Sequence, residues 1–344
     1  MKLILEKNNV DIEPLYEITQ GLEKCLLLFT AMDFGIFDCL KIPKSAEEFS
    51  SELKTDPKLT LKFLNSLVAI GLLIKKELLY SNSSLATTYL VKDGPFYQGN
   101  LLNLMKKTRH ERWLRLDQAL KKGPVQSEKK LEGVFDKGFI LAMAEGAMRG
   151  SLHSTLEIVF SLPEFKNAAR LLDLGGGHGL YAIAFSQANP KLQSFIFDLP
   201  PVIEVAREFI ARYEMNDRVH TLAGDFIKDD WGTKFDIIFA SDALYKPKEL
   251  LFPILQKIKS SLNKGGLFIA KQWIIDKERT TPTTTVLWDL MVSLLGNLPF
   301  YTYTNEEFIE LLKEMGFKGV KLFDISTPSK PSRIVVARKG GRVR

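Results

Sequence analysis

Asp173 lies in the apolar run Leu171-Leu172-Asp173-Leu174, which is followed at once by Gly175-Gly176-Gly177-His178-Gly179, while Asp198 ends a second run, Phe195-Ile196-Phe197-Asp198. Strand, glycine-rich turn, a helix pattern from Leu180, strand and carboxylate make a nucleotide-binding βαβ unit. Glycines let the chain turn sharply and bring its backbone against a ligand. Asp198 stands where a carboxylate accepts hydrogen bonds from two ribose hydroxyls. A dinucleotide fingerprint needs its third glycine where this chain has Leu180, which weakens a pyrophosphate reading. The tighter spacing of Gly175, Gly177 and Gly179 after Asp173 suits a cationic amino-acid nucleoside, with Asp173 facing its ammonium or sulfonium end. S-adenosylmethionine has that form. The alternative is a tight strand-to-helix turn with no ligand. His178, inside the loop, is expected to shape it or touch cofactor rather than remove a proton.

These residues need a core to hold them, and a chain of 344 residues with 45% hydrophobic content is long enough for two domains. Cys25 and Cys39 are its only cysteines, with no Cys/His cluster, so neither a disulfide framework nor a zinc site is expected. The start, Met1-Lys2-Leu3-Ile4-Leu5-Glu6-Lys7, is too short in apolar residues for a secretory h-region, and no stretch approaches a membrane span, so a cytoplasmic protein is expected. The net charge of +6 owes four charges to Arg338, Lys339, Arg342 and Arg344; without them it is +2. The basic run from Lys106 to Arg112 reads as a solvated helix face. No nucleic acid, membrane or metal is expected as a partner.

Along the chain, residues 20–40 read as an apolar helix. Ser45 with Glu48 forms a capping box, Asp56-Pro57 opens a further helix that Gly71 ends, and two short strands follow at Leu72–Ile74 and Leu78–Tyr80. Three helices and a hairpin are a winged-helix order. The third helix is mostly apolar where DNA readout wants Arg, Asn or Gln, so the module reads as a packing and dimerisation unit. Helical pattern continues over Gln98–Leu120 and Phe139–Phe160. Strands are then expected at Leu171–Leu174, Phe195–Asp198, Val219–Ala223, Phe235–Ala240, Leu267–Lys271, Val320–Ile325 and Ile334–Ala337. The fold class is therefore α/β, a doubly wound, Rossmann-like domain preceded by a mainly helical winged-helix domain. The expected divisions are 1–95 for dimerisation, 96–165 as a helical linker over the acceptor pocket, and 166–344 for cofactor binding.

The glycine loop, Phe197-Asp198-Leu199-Pro200, Gly224-Asp225-Phe226, Gly265-Gly266 and Met315-Gly316-Phe317 together resemble the S-adenosylmethionine-dependent small-molecule O-methyltransferases that carry an N-terminal winged-helix dimerisation domain. The resemblance covers nearly the whole chain. It implies a class I methyltransferase domain, a homodimer, S-adenosylmethionine as cofactor and a small-molecule acceptor. Carried over by position, it implies cofactor contacts at Asp173, Gly175, Gly177, Asp198, Leu199, Asp225, Phe226 and Ser241. Trp113, Met143, Met148, Trp288, Met291, Phe300 and Tyr303 are candidates for lining the acceptor pocket.

The chain departs from that family where the proton is handled. The family's Leu-His-Asp-Trp motif, whose His takes the phenol proton, falls here on Leu244-Tyr245-Lys246-Pro247. Gln272 and Thr302-Tyr303-Thr304 stand where the family has Glu and Glu-Arg-Thr. An ordinary Tyr is a poor base near neutrality unless a cation lowers its pKa, and Lys246 is the expected neighbour. The candidate catalytic residues are thus Tyr245, Asp242 and His153, with Asp289 and His110 as further possibilities. Expected is methyl transfer to a planar (hetero)aromatic acceptor, most readily O-methylation without the usual His. Carbon methylation is the alternative, because the family's tetrapyrrole-methylating branch also carries a Leu-Tyr pair, and a non-methylating cofactor-binding protein or winged-helix regulator is the third reading.

Overall fold

A computed structural model describes residues 9–124, 135–294, 296 and 299–340, which form two compact units, residues 1–106 and 107–344. The sequence reading put its first division at 95/96, whereas the units part within the helix Gly99–Glu111, whose Leu102 packs on the N-terminal core.

The N-terminal unit starts with the helix Glu13–Asp33, which breaks before residue 40 because the chain turns at Gly35 in the left-handed region (φ +63°). Ser45 and Glu48 cap the helix Ala46–Leu53 reciprocally, at 3.2 and 2.7 Å, and Asp56 accepts from the Leu59 amide at 2.7 Å to start Pro57–Ala69. Strands β1 (Lys44–Ser45), β2 (Leu73–Lys76) and β3 (Leu79–Asn82) form a small antiparallel sheet in the order β1-β3-β2. Leu64, Leu67, Phe37, Phe49 and Tyr80 make its core. Leu15, Ile18, Leu22 and Leu26, spaced three and four apart on the first helix, remain exposed.

The second unit holds seven strands: β4 (Arg170–Leu174), β5 (Gln193–Asp198), β6 (Val219–Ala223), β7 (Phe235–Ser241), β8 (Leu262–Trp273), β9 (Phe317–Asp324) and β10 (Ser332–Lys339). Their order is β6-β5-β4-β7-β8-β10-β9, parallel except for β10, which runs against both neighbours. Successive side chains serve opposite cores: Leu171, Ile237, Phe239 and Ile269 face one, Leu172, Ile238 and Phe268 the other. Burial on both faces explains why the strands read as continuous apolar runs. After β4 the chain builds β5 and β6 on one side and β7 and β8 on the other. Ligands bind at the carboxyl ends of strands beside such a reversal, where Asp173, Asp198 and Ser241 lie.

The helical pattern at 139–160 is interrupted. Lys137–Gly146 and Leu152–Ser161 are joined by a π-helical segment, Ala147–Ser151, in which Gly150 takes φ +127°. The segment 125–134 lies outside the described residues. Among the described residues, no helix is long and apolar enough to cross a membrane, and no cluster of His, Cys, Asp or Glu could hold a metal.

Candidate active site

Asp173 sits on the central strand with none of its surface exposed, and neither carboxylate oxygen makes a hydrogen bond of ordinary geometry. Burial, together with the charge of Asp198, lifts its pKa to about 8, which the Ala182 amide offsets only in part. A buried, unpartnered carboxyl is costly unless something arrives to pair with it. The glycine loop is pressed against this group: a Cβ on Gly176 would stand 2.8 Å from the Asp173 carboxyl carbon. Gly175 takes φ +67°, and a Cβ there would meet the Ala243 side chain at 2.7 Å. The cradle therefore offers backbone, a lone acid and no side-chain obstruction, which fits the ammonium end of an amino-acid nucleoside.

Asp198 accepts from the Gly177 amide at 2.9 Å and the Leu199 amide at 2.7 Å. Burial raises its pKa and these two donors work against the rise. Each oxygen keeps a lone pair for a further donor. Asp225 turns its own loop, accepting from the Ile227 amide at 2.9 Å, and Phe226 packs beside Gly175 on the second core. His178 is buried and neutral: its Nδ1 accepts from the Leu180 amide at 3.1 Å, and burial with the charges of Lys330 and Lys271 lowers its pKa to about 3.

Beyond Ser241 the chain enters the left-handed region at Asp242 (φ +54°), held by a 2.7 Å bond from its amide to the Lys271 carbonyl. That turn carries the carboxylate onto the Lys271 ammonium. Lys271 is 1% exposed at the register partner of Ser241 on β8. The Asp242 carboxylate lies deep among protein atoms, yet 37% of its side-chain surface faces open space, as expected for the wall of a cleft. Burial pushes its pKa up, and Lys271 and Lys330 together hold it below the usual carboxylate range.

Tyr245 completes this network. Its hydroxyl donates to Asp242 Oδ1 at 2.8 Å and accepts from the Trp273 amide at 2.6 Å. Burial and the Asp242 charge push its pKa well above the ordinary value. The expected help from Lys246 is corrected by the structure: Lys246 is itself lowered by burial, its charge partner being Asp225, while the residue that meets the Tyr245 hydroxyl is an acid. Around Tyr245 stand Trp288 at 4.7 Å between ring centroids and Phe300 at 5.5 Å, with Trp273 5.1 Å from Trp288. These four rings form an aromatic wall.

Other candidates are scattered. His153 is exposed on Leu152–Ser161. His110 is exposed as well. Asp289 accepts from Thr302. Met291 meets Arg112 through its sulfur at 2.9 Å, Met148 packs on the first core, and Trp113 and Met143 are half-buried. Tyr303 is buried. Its hydroxyl donates to the Lys246 carbonyl at 2.9 Å, and its ring packs on Phe308 in the second core. It also lines a hollow of about 370 Å³ together with Lys248, Tyr301 and Glu307.

Lys271, Lys330 and Trp273 were missed by sequence reasoning. Lys271 left a signal, a single charge closing the apolar strand Leu267-Phe268-Ile269-Ala270-Lys271 at the ligand-binding end of the sheet. Lys330 left none, lying in a polar turn.

An O-methyltransferase domain matches residues 136–318, over half the chain, and an O-methyltransferase dimerisation domain matches 16–92. The chain belongs to the O-methyltransferase family. It is 34% identical over 313 residues to an uncharacterized protein of Methanocaldococcus jannaschii, covering 87% of this chain and 82% of that protein. It is 26% identical over 323 residues to 3-hydroxy-5-methyl-1-naphthoate 3-O-methyltransferase of Streptomyces sahachiroi, covering 91% and 92%. The crystal structure of human N-acetylserotonin methyltransferase in complex with S-adenosylmethionine shares the fold at TM-score 0.81 and 22% identity, covering 98% of this chain and all of that one. This O-methyltransferase is accordingly an S-adenosylmethionine-dependent enzyme, with the family's dimerisation domain ahead of its catalytic one.

Proposed function

We propose that this O-methyltransferase moves a methyl group to a small, planar aromatic acceptor without a side-chain general base at the position of Tyr245. The observation that carries the reading is the Tyr245 hydroxyl, whose proton is committed to Asp242 and whose lone pair takes the Trp273 amide. When bound, S-adenosylmethionine supplies an electrophilic methyl on a sulfonium centre. Asp173 would pair with its ammonium end, Asp198 would take the ribose hydroxyls, and Gly175, Gly177, Leu199, Asp225, Phe226 and Ser241 would line its bed. The Tyr245–Trp288–Phe300–Trp273 wall would stack a flat acceptor, so that positioning would provide much of the rate.

With no base at the Tyr245 position and Asp242 held as the counter-ion of Lys271, the acceptor oxygen is already ionised when it reacts, or the acceptor atom is carbon or nitrogen. The aromatic acceptor named for the Streptomyces sahachiroi relative favours oxygen. We also infer a homodimer formed through the N-terminal unit, and a division in which 96–165 supplies helices over the acceptor. An acceptor panel of phenols, hydroxy acids, heteroaromatics and tetrapyrroles, read by S-adenosylhomocysteine release and product mass, tests the proposal. Turnover confined to non-aromatic acceptors would refute it, and absence of S-adenosylhomocysteine with every acceptor would favour a binding protein.

A further inference from the structure

Two lysines, Lys271 buried and Lys330 half-buried, both act on the Asp242 carboxylate. Lys271 pairs with Asp242. Lys330, on the turn before β10, donates to the Gly146 carbonyl at 2.6 Å and the Ser151 hydroxyl at 2.7 Å, both neutral acceptors. Lys330 is close enough to Lys271, Asp242 and Arg149 for each to act on its charge, and burial with the two cations brings its pKa down to about 7. The other titratable groups nearby add no compensating anion. His178 is neutral, Tyr181 lies 3.5 Å from the Ser151 hydroxyl, and Tyr245 keeps its proton. Lys271 and Lys330 with Asp242 thus carry one positive charge more than they neutralise whenever Lys330 is protonated.

That surplus is separate from the acid that faces the cofactor. Asp173 feels Asp198, whereas Asp242 feels Lys271 and Lys330. The π-helical segment Ala147–Ser151 is what presents the Gly146 carbonyl and Ser151 to the lysine, between two helices that the sequence reads as one. An ordinary helix would spend the Gly146 carbonyl on its own ladder.

We propose that Lys330, backed by Lys271, forms a seat for an anionic oxygen group, and that the acceptor is an aromatic acid whose carboxylate or equivalent docks there while its ring lies on the Tyr245–Trp288 wall. The inference rests on the aromatic-acceptor reading and adds the charge of the substrate. An incoming anion restores the ammonium form of Lys330 and occupies the charge that Asp242 leaves over. An anion in a site with such partners is far better placed than a neutral ring of the same shape, because buried charges are strongly favoured only where a counter-charge is already fixed.

The test is calorimetry on the full-length protein loaded with S-adenosylhomocysteine, using two matched pairs, 3-hydroxy-2-naphthoate against 2-naphthol and benzoate against phenol. Expected is at least a tenfold preference for the acid in one pair, lost in Lys330→Gln and kept in Lys330→Arg, with S-adenosylhomocysteine affinity within twofold throughout. Equal binding within both pairs, no saturable binding of either acid, or a preference that survives Lys330→Gln would overturn it. The cofactor also carries a carboxylate. If Lys330→Gln weakens S-adenosylhomocysteine tenfold while leaving its decarboxylated analogue untouched, the seat serves the cofactor and the acceptor assignment fails. Because the cofactor complex is measured separately, loss of the acid preference is distinguishable from failure of the methyltransferase reading.

Discussion

Tyr245 hands its hydroxyl hydrogen to Asp242 across 2.8 Å while its oxygen takes the Trp273 amide at 2.6 Å, so towards the acid beside it this residue is a donor. Tyr245→Phe should therefore leave the shape of the pH–rate profile unchanged while lowering kcat a few-fold and costing about 1.5–3 kcal/mol of stability, the worth of one hydrogen bond to a charged group. Loss of a titrating limb in the variant would instead make Tyr245 the base. Tyr245→His should not gain phenol methylation, since the shorter imidazole falls short of Asp242 and has no partner to fix its tautomer. Product analysis with a simple phenol decides this.

Asp173 predicts an unusual pH dependence. Its folded pKa, raised to about 8, lies above the unfolded value near 4, so the native state binds the extra proton. Stability of the cofactor-free protein should therefore be highest below pH 4 as far as this group is concerned, and should fall as pH rises from about 4 towards 8. Asp173→Asn should flatten that trend in thermal melts. Cofactor binding should release a proton below pH 8 and tighten as pH approaches 8, seen as a buffer-dependent heat; heats independent of buffer would contradict the ammonium pairing.

Asp198→Ala should weaken S-adenosylhomocysteine by at least about 1 kcal/mol, because a charged acceptor is lost and the Gly177 and Leu199 amides are left without it. Unchanged affinity by calorimetry would remove Asp198 from the ribose.

Lys271→Met strands the Asp242 carboxylate in the cleft wall. Removing one partner of a fully buried pair costs roughly 3–5 kcal/mol, and the loss here should fall below that because solvent screens the 37% exposed Asp242. The double variant Lys271→Met/Asp242→Asn should recover part of that loss, and a urea titration of the four proteins measures the coupling. Additive losses would mean that the pair does not act as one.

Leu22 and Leu26, exposed on the first helix, should be covered in the homodimer. Leu22→Glu/Leu26→Glu is expected to shift the protein towards a 39.0 kDa monomer by light scattering, with the N-terminal core intact. A dimer that survives the double change would put the interface elsewhere.

Local order alone made much of this protein legible. The Gly175–Gly179 loop, Asp173 and Asp198 could be read because strand, turn and helix are neighbours in sequence, and a turn that must clear a ligand restricts its residues to glycine. The capping box at Ser45 was legible for the same reason, closing within three residues. What the tertiary structure decided were the long-range pairings: Asp242 with Lys271 on the neighbouring strand, Trp273 on Tyr245, and Lys330 reaching Gly146 and Ser151 from the far end of the domain. Charge made the difference. Whether Tyr245 gains or gives a proton depends on whether the side chain beside it is an ammonium or a carboxylate. The sequence neighbour Lys246 suggested the first, whereas packing strand β7 against β8 and turning the chain at Asp242 produced the second.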